Sequence, residues 1–567
     1  MQTKQLIECV PNFSEGRDMA VIRQITAEIE SVEGVKLLDV DPGKATNRTV
    51  VTFVGEPEQV VKAAYMAIKK AAQVIDMSKH KGEHPRQGAT DVCPLVPVAN
   101  ITMDECAQWA HKLGEMAGSQ LDIPFYMYEY AATKPERRNL ATIRAGEYEA
   151  LPEKLKQPEW KPDYGPAKFN ARAGATVIGA RDFLVAYNVN LNTTSERRAN
   201  SVAFDVREQG RVKREGDPVT GKIIMDENGQ PAREPGACKA VKAIGWYIAE
   251  YGVAQVSMNL TNLNVTPLHT AFEECCKSAE RRGMRVTGSE LVGLVPLRVM
   301  LEAGRYFLKK QKCSTGVSEE ELIHIAVKSL GLDELSPFDP QKKIIEYLLA
   351  EEGDRRLINM NLRAFANETA KDIPAPGGGS ISAYVGALGA SLGTMVANLS
   401  AGKRVPIAIG RGDRLEEFSA WAEKGQRLKD GLLALVDEDT RAFNQIMAAF
   451  RLPKGSDEEK AARKQAIQDA TRYAIETPLR TMELTFAVFE LAEAMVKEGN
   501  PNSVSDAGVG ALCARAAVYG GWMNVKINTA SLADKTLAAE FLKKAEDIAK
   551  QTDEMERRIV KLVEGKM

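Results

Sequence analysis

Hydrophobic and polar positions follow two alternating periods through the first hundred residues. LIECV (6–10) reads as a strand and is followed by the turn PNFSEG. In MAVIRQITAEIE, Ile22, Ile25 and Ile29 recur at helical spacing. VKLLDVD (35–41) and TVVTFVG (49–55) read as strands around the turn PGKATN. EQVVKAAYMAIKKAAQV reads as a helix and DVCPLVPVANI as a strand. The order is β-α-β-β-α-β, the split βαβ arrangement of ferredoxin-like folds. A helix near 103–118 and a strand at 124–131 extend it. A second pass begins near residue 183: strand FLVAYNVNL, helix TSERRANSVAFDVREQ, strands AVKAIGWYIA and AQVSMNLT, helix PLHTAFEECCKSAERRG, strand MRVTGSELVGLV. The order repeats with no obvious sequence identity. The charged stretch 210–237, with DENGQP at its tip, interrupts it as an exposed hairpin or loop insertion.

After about residue 337 strand signals nearly vanish, and helical patterns follow at about 380–400, 411–449, 456–475, 478–498, 503–521 and 534–564. The expected fold is therefore multidomain: two ferredoxin-like α+β (βαββαβ) subdomains followed by an all-α helical domain. The expected boundaries are 1–182, 183–337, a linker at 338–360 and the helical domain at 361–567. ISAYVGALGASLGTMVANL (381–399) is uncharged and long enough to span a membrane. Its Gly, Ala, Ser and Thr content reads instead as a buried, closely packed helix.

A formal net charge of −2 gives no sign of nucleic-acid or acidic-membrane binding. Eight scattered cysteines without CxxC spacing argue against structural zinc and against a disulfide framework. The start MQTKQLIECV carries no apolar signal stretch, so a cytoplasmic location is expected.

His80 and His84 are two of five histidines, set in HKGEHPRQGATDVCP (80–94). Their i, i+4 spacing suits a metal pair on a helix, which Gly82 and Pro85 disfavour. Acid/base work and plain loop residues are the other readings, and the residues alone leave all three open. Lys81 and Arg86 beside them attract carboxylates. In DVDPGKATNRTV (39–50), Asp41 ends a strand and Asn47 and Arg48 open the next; Asp41 either orients a catalytic histidine or makes an Asx-turn. In PAPGGGS, Gly377, Gly378, Gly379 and Ser380 open a helix, either as an N-cap or as backbone donors to an anion. In VDEDTRAF (436–443), Asp437 and Asp439 point about 200° apart around a helix, so they are not a paired site. Asp506, in GNPNSVSDAGVGA, reads by default as a helix cap.

LIECVPNFSEGRD, LLDVDPGKATNRTV, IDMSKHKGEHPRQGATDVCPLVPV, IRAGEYEALPEKL and GATVIGARDFLVAYNVNL resemble the formiminotransferase half of the formimidoyltransferase-cyclodeaminase family. LRAFANETA, APGGGS, LVDEDTRAF and GNPNSVSDAGV resemble its cyclodeaminase half, which is also similar to small bacterial methenyltetrahydrofolate cyclohydrolases. The resemblance implies a folate enzyme of histidine breakdown. Its first half moves a formimino group from N-formimino-L-glutamate to N5 of tetrahydrofolate. Its second half closes the ring to 5,10-methenyltetrahydrofolate and releases ammonia. Tetrahydrofolate, free or as its polyglutamate, is the implied co-substrate, and neither step requires a metal. A homo-oligomer built from dimers is also implied. The runner-up keeps the transferase and makes the helical domain a cyclohydrolase.

By the resemblance, His84 is the transferase histidine, His80 its supporting neighbour and Asp41 the nearby carboxylate. The folate-contacting segment matches Gly165, Pro166, Ala167, Lys168, Phe169, Asn170, Ala171, Arg172, Ala173 and Gly174, and the cyclodeaminase acid falls on Asp439. Asn47, Arg48, Lys81 and Arg86 are further substrate-binding candidates, the last three for the glutamate carboxylates by charge and position. Gly377, Gly378, Gly379, Ser380 and Asp506 are candidates in the second half. The 210–237 loop looks longer than in the animal proteins.

Overall fold

The computed structural model describes residues 5–44, 46–82, 85–216, 220–349, 356–401 and 414–567. Contacts divide the chain into two units: Met1–Ala303 with Val327–Leu349, and Gly304–Ala326 with Ala350–Met567.

The first unit opens with β1 (Leu6–Cys9), β2 (Asn12–Phe13), α1 (Met19–Glu30), β3 (Val35–Gly43), β4 (Arg48–Gly55), α2 (Pro57–Val74), β5 (Thr90–Ala99), α3 (Met103–Gln120) and β6 (Phe125–Glu129). Two short helices, α4 (Leu140–Arg144) and α5 (Glu147–Lys154), precede β7 (Thr176–Ala180). β3 pairs β4, β4 pairs β1 and β2, and these pair β5, all antiparallel; β7 and β6 add on in parallel. Alternation divides the sheet. Ile7, Cys9, Val51 and Phe53 are fully buried with Ile22, Ile25 and Ile29 of α1. Glu8 lies opposite Val54, Asp39 opposite Thr52 and Asp41 opposite Val50. These acids therefore share the other face with Arg48.

The second sheet comes from β8 (Val185–Leu191), α6 (Glu196–Val206), the small hairpin β9 (Arg211–Val212) and β10 (Arg233–Glu234), β11 (Val241–Ile248), β12 (Val253–Leu260), α7 (Leu268–Glu280) and β13 (Val286–Val292). Its order is β11-β12-β8-β13, antiparallel throughout. The 210–237 stretch holds the β9–β10 pair at its base, as the turn chemistry predicts. Tyr187, Val189 and Leu191 are buried, while Asn188 and Asn190 alternate to the other face. There Asn188 donates to Glu290 (3.2 Å), and Gln255 donates to Asn190 (2.8 Å). Helices α8 (Leu297–Lys310), α9 (Glu319–Leu330), α10 (Pro340–Lys343) and α11 (Ile345–Leu349) follow.

The helical unit contains α12 (Leu362–Thr369), α13 (Gly378–Ala401), α14 (Leu415–Phe450), α15 (Asp457–Glu498), α16 (Val504–Thr529) and α17 (Lys535–Glu564). α13 is the uncharged stretch, and 61% of its most apolar window is buried inside the protein. Its small residues allow close approach: a Cβ on Gly389 would stand 2.8 Å from the Gly510 carbonyl oxygen of α16. Leu432, Leu435, Phe489, Ala514 and Ile559, from α14 to α17, complete the core.

Two helix boundaries differ from the sequence pattern, the first being α16, which runs on to Thr529 instead of ending near 521. At the second, the expected break between 475 and 478 is absent, and α15 runs unbroken through Pro478. Proline removes the donor owed to the carbonyl of Ala474. Asn528 of α16 supplies a replacement, Nδ2 to Ala474 O at 2.8 Å.

Candidate active sites

The first site forms where the β3–β4 turn meets the loop after α2. Asn47 adopts a left-handed φ of 49°, which Asn tolerates better than most residues. Its Oδ1 accepts from Gly16 N (3.1 Å) and its Nδ2 donates to Lys81 O (3.0 Å), tying the two loops together. His80 Nε2 bonds the Asn47 carbonyl (2.9 Å), and Arg86 Nε donates to His80 Nδ1 (3.3 Å). A carbonyl only accepts and a guanidinium only donates, so the His80 proton sits on Nε2. Both ring nitrogens are thus engaged. His84 lies outside the described residues.

Arg86 is itself clamped. Nη1 donates to Glu147 and Glu149 at 2.9 Å each, and Nη2 to Glu149 at 2.7 Å. These bonds, those to Glu149 first, raise the Arg86 pKa, and the same bonds hold Glu149 below the usual carboxylate range. Arg48 fans out to Asn12 (2.9 and 2.7 Å) and to Asp91 (2.6 Å). Burial pulls its pKa down to about 10 against the opposing pull of Asp91. The Lys81 side chain is exposed.

The 165–174 segment runs beside this loop. Met77 N donates to Arg172 O (2.9 Å), Tyr148 packs on Phe169 with ring centroids 5.5 Å apart, and Tyr148 N donates to Arg86 O (2.9 Å). Asn170 folds the segment on itself by accepting from Arg172 N and Ala173 N, while its Nδ2 reaches Asp122 O. Asn47, Arg48, His80, Lys81, Arg86 and the 165–174 segment are thereby brought together. Asp41 stands on the sheet face it shares with Arg48, and among the described residues it makes no hydrogen bond to His80. Asn12, Asp91, Arg144, Glu147 and Glu149 were not singled out from the sequence. The two glutamates lie inside the quoted motif IRAGEYEALPEKL, and their spacing around Tyr148 carried no distinctive signal.

The second site lies in the helical unit, at the start of α13. Ser380 N donates to Asp439 Oδ2 (2.9 Å), and the single hydroxyl proton of Ser380 is shared between that oxygen (3.1 Å) and Val436 O (2.8 Å). The backbone donor expected of the glycine-rich turn therefore serves the protein's own carboxylate. Gly379 is required by contact, since a Cβ there would come within 2.1 Å of Asp439 Oδ1. Burial raises the Asp439 pKa, and the Ser380 bonds oppose that rise. Asp437, on the other side of the helix, accepts from Leu357 N (2.8 Å) and Ile358 N (3.3 Å) and so anchors the segment before α12. A small apolar hollow of about 40 Å³, lined by Met360, Phe365, Tyr384 and Val436 among others, lies one helical turn from Ser380. Asp506 is not part of this cluster. α16 runs antiparallel to α13, with Gly378 beside Asn524 and Gly389 beside Gly510. At 1.5 Å per residue this places Asp506 roughly 20 Å along α13 from Ser380.

The chain is thus a multidomain protein in which a mixed α/β region carrying one polar site precedes a helical domain carrying a buried carboxylate. Three family descriptions match it in order: formiminotransferase domain, N-terminal subdomain, over residues 6–181; formiminotransferase domain over 186–350; and formiminotransferase-cyclodeaminase over 361–547. It is 44% identical to the formimidoyltransferase-cyclodeaminase of Rattus norvegicus over 94% of this chain and 93% of that one. A glutamate formimidoyltransferase of Streptococcus pyogenes is 41% identical over 54% of this chain and 94% of its own. A methenyltetrahydrofolate cyclohydrolase of Methylorubrum extorquens is 35% identical over 37% of this chain and 98% of its own. The chain belongs to the formimidoyltransferase-cyclodeaminase family.

Proposed function

We propose that this chain is a bifunctional folate enzyme of histidine breakdown. It transfers the formimino group of N-formimino-L-glutamate to N5 of tetrahydrofolate. It then cyclises 5-formiminotetrahydrofolate to 5,10-methenyltetrahydrofolate with release of ammonia. The observation that carries the reading is the near full-length match to a bifunctional relative, with both halves in the same order. That match favours cyclodeaminase over the cyclohydrolase reading of the helical domain.

In the first step N5 attacks the amidine-like carbon. His84 takes the N5 proton as the tetrahedral intermediate forms and returns one to the departing glutamate nitrogen. His80, fixed in one tautomer by Asn47 and Arg86, supports the loop that carries it. Asp41 adds negative charge that stabilises the charged form of His84. The 165–174 segment contacts the folate, and Lys81, exposed beside it, attracts carboxylates. In the second step N10 already lies near the formimino carbon, so holding the reactive conformer supplies much of the help. Asp439, its pKa raised by burial, donates the proton with which ammonia leaves. Gly377, Gly378, Gly379 and Ser380 hold that acid in place.

Each four-stranded core follows the ferredoxin-like order, which supports that finer reading of the fold. A homo-oligomer built from dimers is supported by an exposed apolar stripe on the adjoining helices α13 and α16, comprising Leu388, Met395, Leu399, Val509 and Leu512. We place the enzyme in the cytoplasm and extend its folate preference to polyglutamates.

The test uses the full chain. His84→Ala is expected to lose transfer by about 10²-fold or more yet still release ammonia from supplied 5-formiminotetrahydrofolate. Asp439→Ala is expected to do the reverse. Hydrolysis of methenyltetrahydrofolate without ammonia release from the formimino substrate would instead establish the cyclohydrolase.

A further inference from the structure

The transfer donor carries two carboxylates, yet Arg86, the cation nearest His80, is committed to Glu147 and Glu149. A second arginine cluster borders the same loop, where Arg48 Nη1 reaches Pro85 O at 3.5 Å. Asp91 is fully buried. Its Oδ1 accepts from Gln87 N (3.0 Å), and its Oδ2 accepts from both Arg48 Nη1 (2.6 Å) and Arg144 Nη2 (2.7 Å). Among the described residues, two guanidiniums therefore meet on one carboxylate oxygen. Their side chains are only 11% and 13% exposed.

Arg144 is the one with unused capacity. A guanidinium has five N–H donors, and among the described residues its Nε is buried without a partner. A buried donor in that state is destabilising until an acceptor reaches it. A carboxylate, which accepts two parallel bonds from a guanidinium, is the group that fits best. The backbone on either side of Arg144 is pinned by Lys154, whose Nζ donates to Ile143 O (2.6 Å) and Ala145 O (3.0 Å). The pin fixes the Arg144 backbone, and the 2.7 Å bond to Asp91 holds its side chain.

We propose that Arg144, braced by Asp91 beside Arg48, is a specificity-determining residue of the transferase site that receives a carboxylate of the donor's glutamyl group. The proposal rests on the transferase reading above. A carboxylate of the folate glutamyl tail has the same chemistry, so the test separates the two sources.

Arg144→Gln keeps hydrogen-bonding capacity and removes the charge, and Asp91 retains Arg48. In the full-length enzyme this variant is expected to raise KM for N-formimino-L-glutamate by about tenfold or more, with KM for tetrahydrofolate within about twofold. L-Glutamate, as product, is expected to lose inhibitory potency by a similar factor. Arg144→Lys restores the charge without the fork and should recover part of the loss. An unchanged donor KM in folded Arg144→Gln overturns the proposal, as does a rise confined to tetrahydrofolate. If Arg144→Gln does not fold, Arg144→Lys decides by the same two KM values. His84→Ala separates the underlying reading: it should lose transfer while L-glutamate still raises its melting temperature. Normal transfer by His84→Ala would sink the functional reading. Loss of the glutamate-induced shift in Arg144→Gln alone would still support the carboxylate site.

Discussion

Ser380 donates its backbone N–H to one oxygen of Asp439 at 2.9 Å, and its hydroxyl proton is shared between that oxygen at 3.1 Å and Val436 O at 2.8 Å. Two donors on a carboxylate favour its ionised form, yet burial outweighs them and the Asp439 pKa is raised. Removing the hydroxyl in Ser380→Ala takes support from the ionised form only, so the pKa rises further. If Asp439 is the acid of cyclisation, the alkaline limb of the pH–rate profile for ammonia release should move to higher pH. A limb that stays in place would remove Asp439 from that role. The stability sign follows from the same shift. A carboxyl raised above its unfolded value of 3.8 contributes stability present below that pH and lost as pH rises through the folded value. Asp439→Asn should therefore melt higher than the parent protein at neutral pH, with the gain disappearing below pH 3.8, where the aspartate is neutral in both the folded and the unfolded chain.

Arg86 makes three charged contacts to Glu147 and Glu149 and one to His80. Its position in HPR suggested direct binding of the donor, whereas its contacts make it a brace for the His80 ring. Arg86→Met is expected to lower kcat for transfer by about tenfold, leave donor KM within about twofold and cost about 1–2 kcal/mol in urea unfolding. The stability term is small because Glu147 and Glu149 remain partly hydrated. A tenfold rise in donor KM with kcat unchanged would return Arg86 to direct carboxylate binding.

The βαββαβ order was readable because each element buries one face. Ile22, Ile25 and Ile29 carry the period of a helix, and Ile7, Cys9, Val51 and Phe53 that of strands. The polar site was only half readable. Asn47, Arg48, His80 and Arg86 stand in compact motifs, but Arg48 meets Asp91, Asp91 meets Arg144 and Arg86 meets Glu149 across 43, 53 and 63 residues of chain. No local periodicity reports such pairings. In the helical half, Ser380 and Asp439 were marked individually by turn and spacing, and their direct bond, 59 residues apart in sequence, was not. Asp506 shows the converse: local helix-start chemistry resembled a site feature, but antiparallel packing of α16 on α13 carries it to the far end.

Pro478 was the local signal that tertiary structure overrode. The carbonyl of Ala474, deprived of its helical donor, is met by Asn528 Nδ2 at 2.8 Å. Asn528→Ala should therefore destabilise the helical domain by about 1–3 kcal/mol, the range for a buried carbonyl left unpaired. In a Pro478→Ala background the helix supplies its own N–H, and the same Asn528 substitution should cost less than about 0.5 kcal/mol. A double-mutant cycle from urea unfolding of the four proteins measures the difference. Equal losses in both backgrounds would show that Asn528 acts through some other contact.

Glu8 gives the clearest separation between a buried acid and a stabilising one. It is 4% exposed on the sheet face it shares with Asp39 and Asp41. Burial pushes its pKa from 4.5 to about 7, with Arg181 pulling the other way and Glu346 adding to the rise. A folded value above the unfolded one means that the contribution of Glu8 to stability is fully present below pH 4.5 and lost as pH rises through about 7. At 1.36 kcal/mol per unit, ionising this side chain inside the fold costs at most about 3 kcal/mol relative to the unfolded chain. Glu8→Gln keeps the shape and cannot ionise. It should match the parent protein in chemical denaturation at pH 4.5 and exceed it by about 1–3 kcal/mol at pH 8.5. A variant less stable at pH 8.5 would mean that the Glu8–Arg181 attraction outweighs burial and that the ionised pair is what the fold retains.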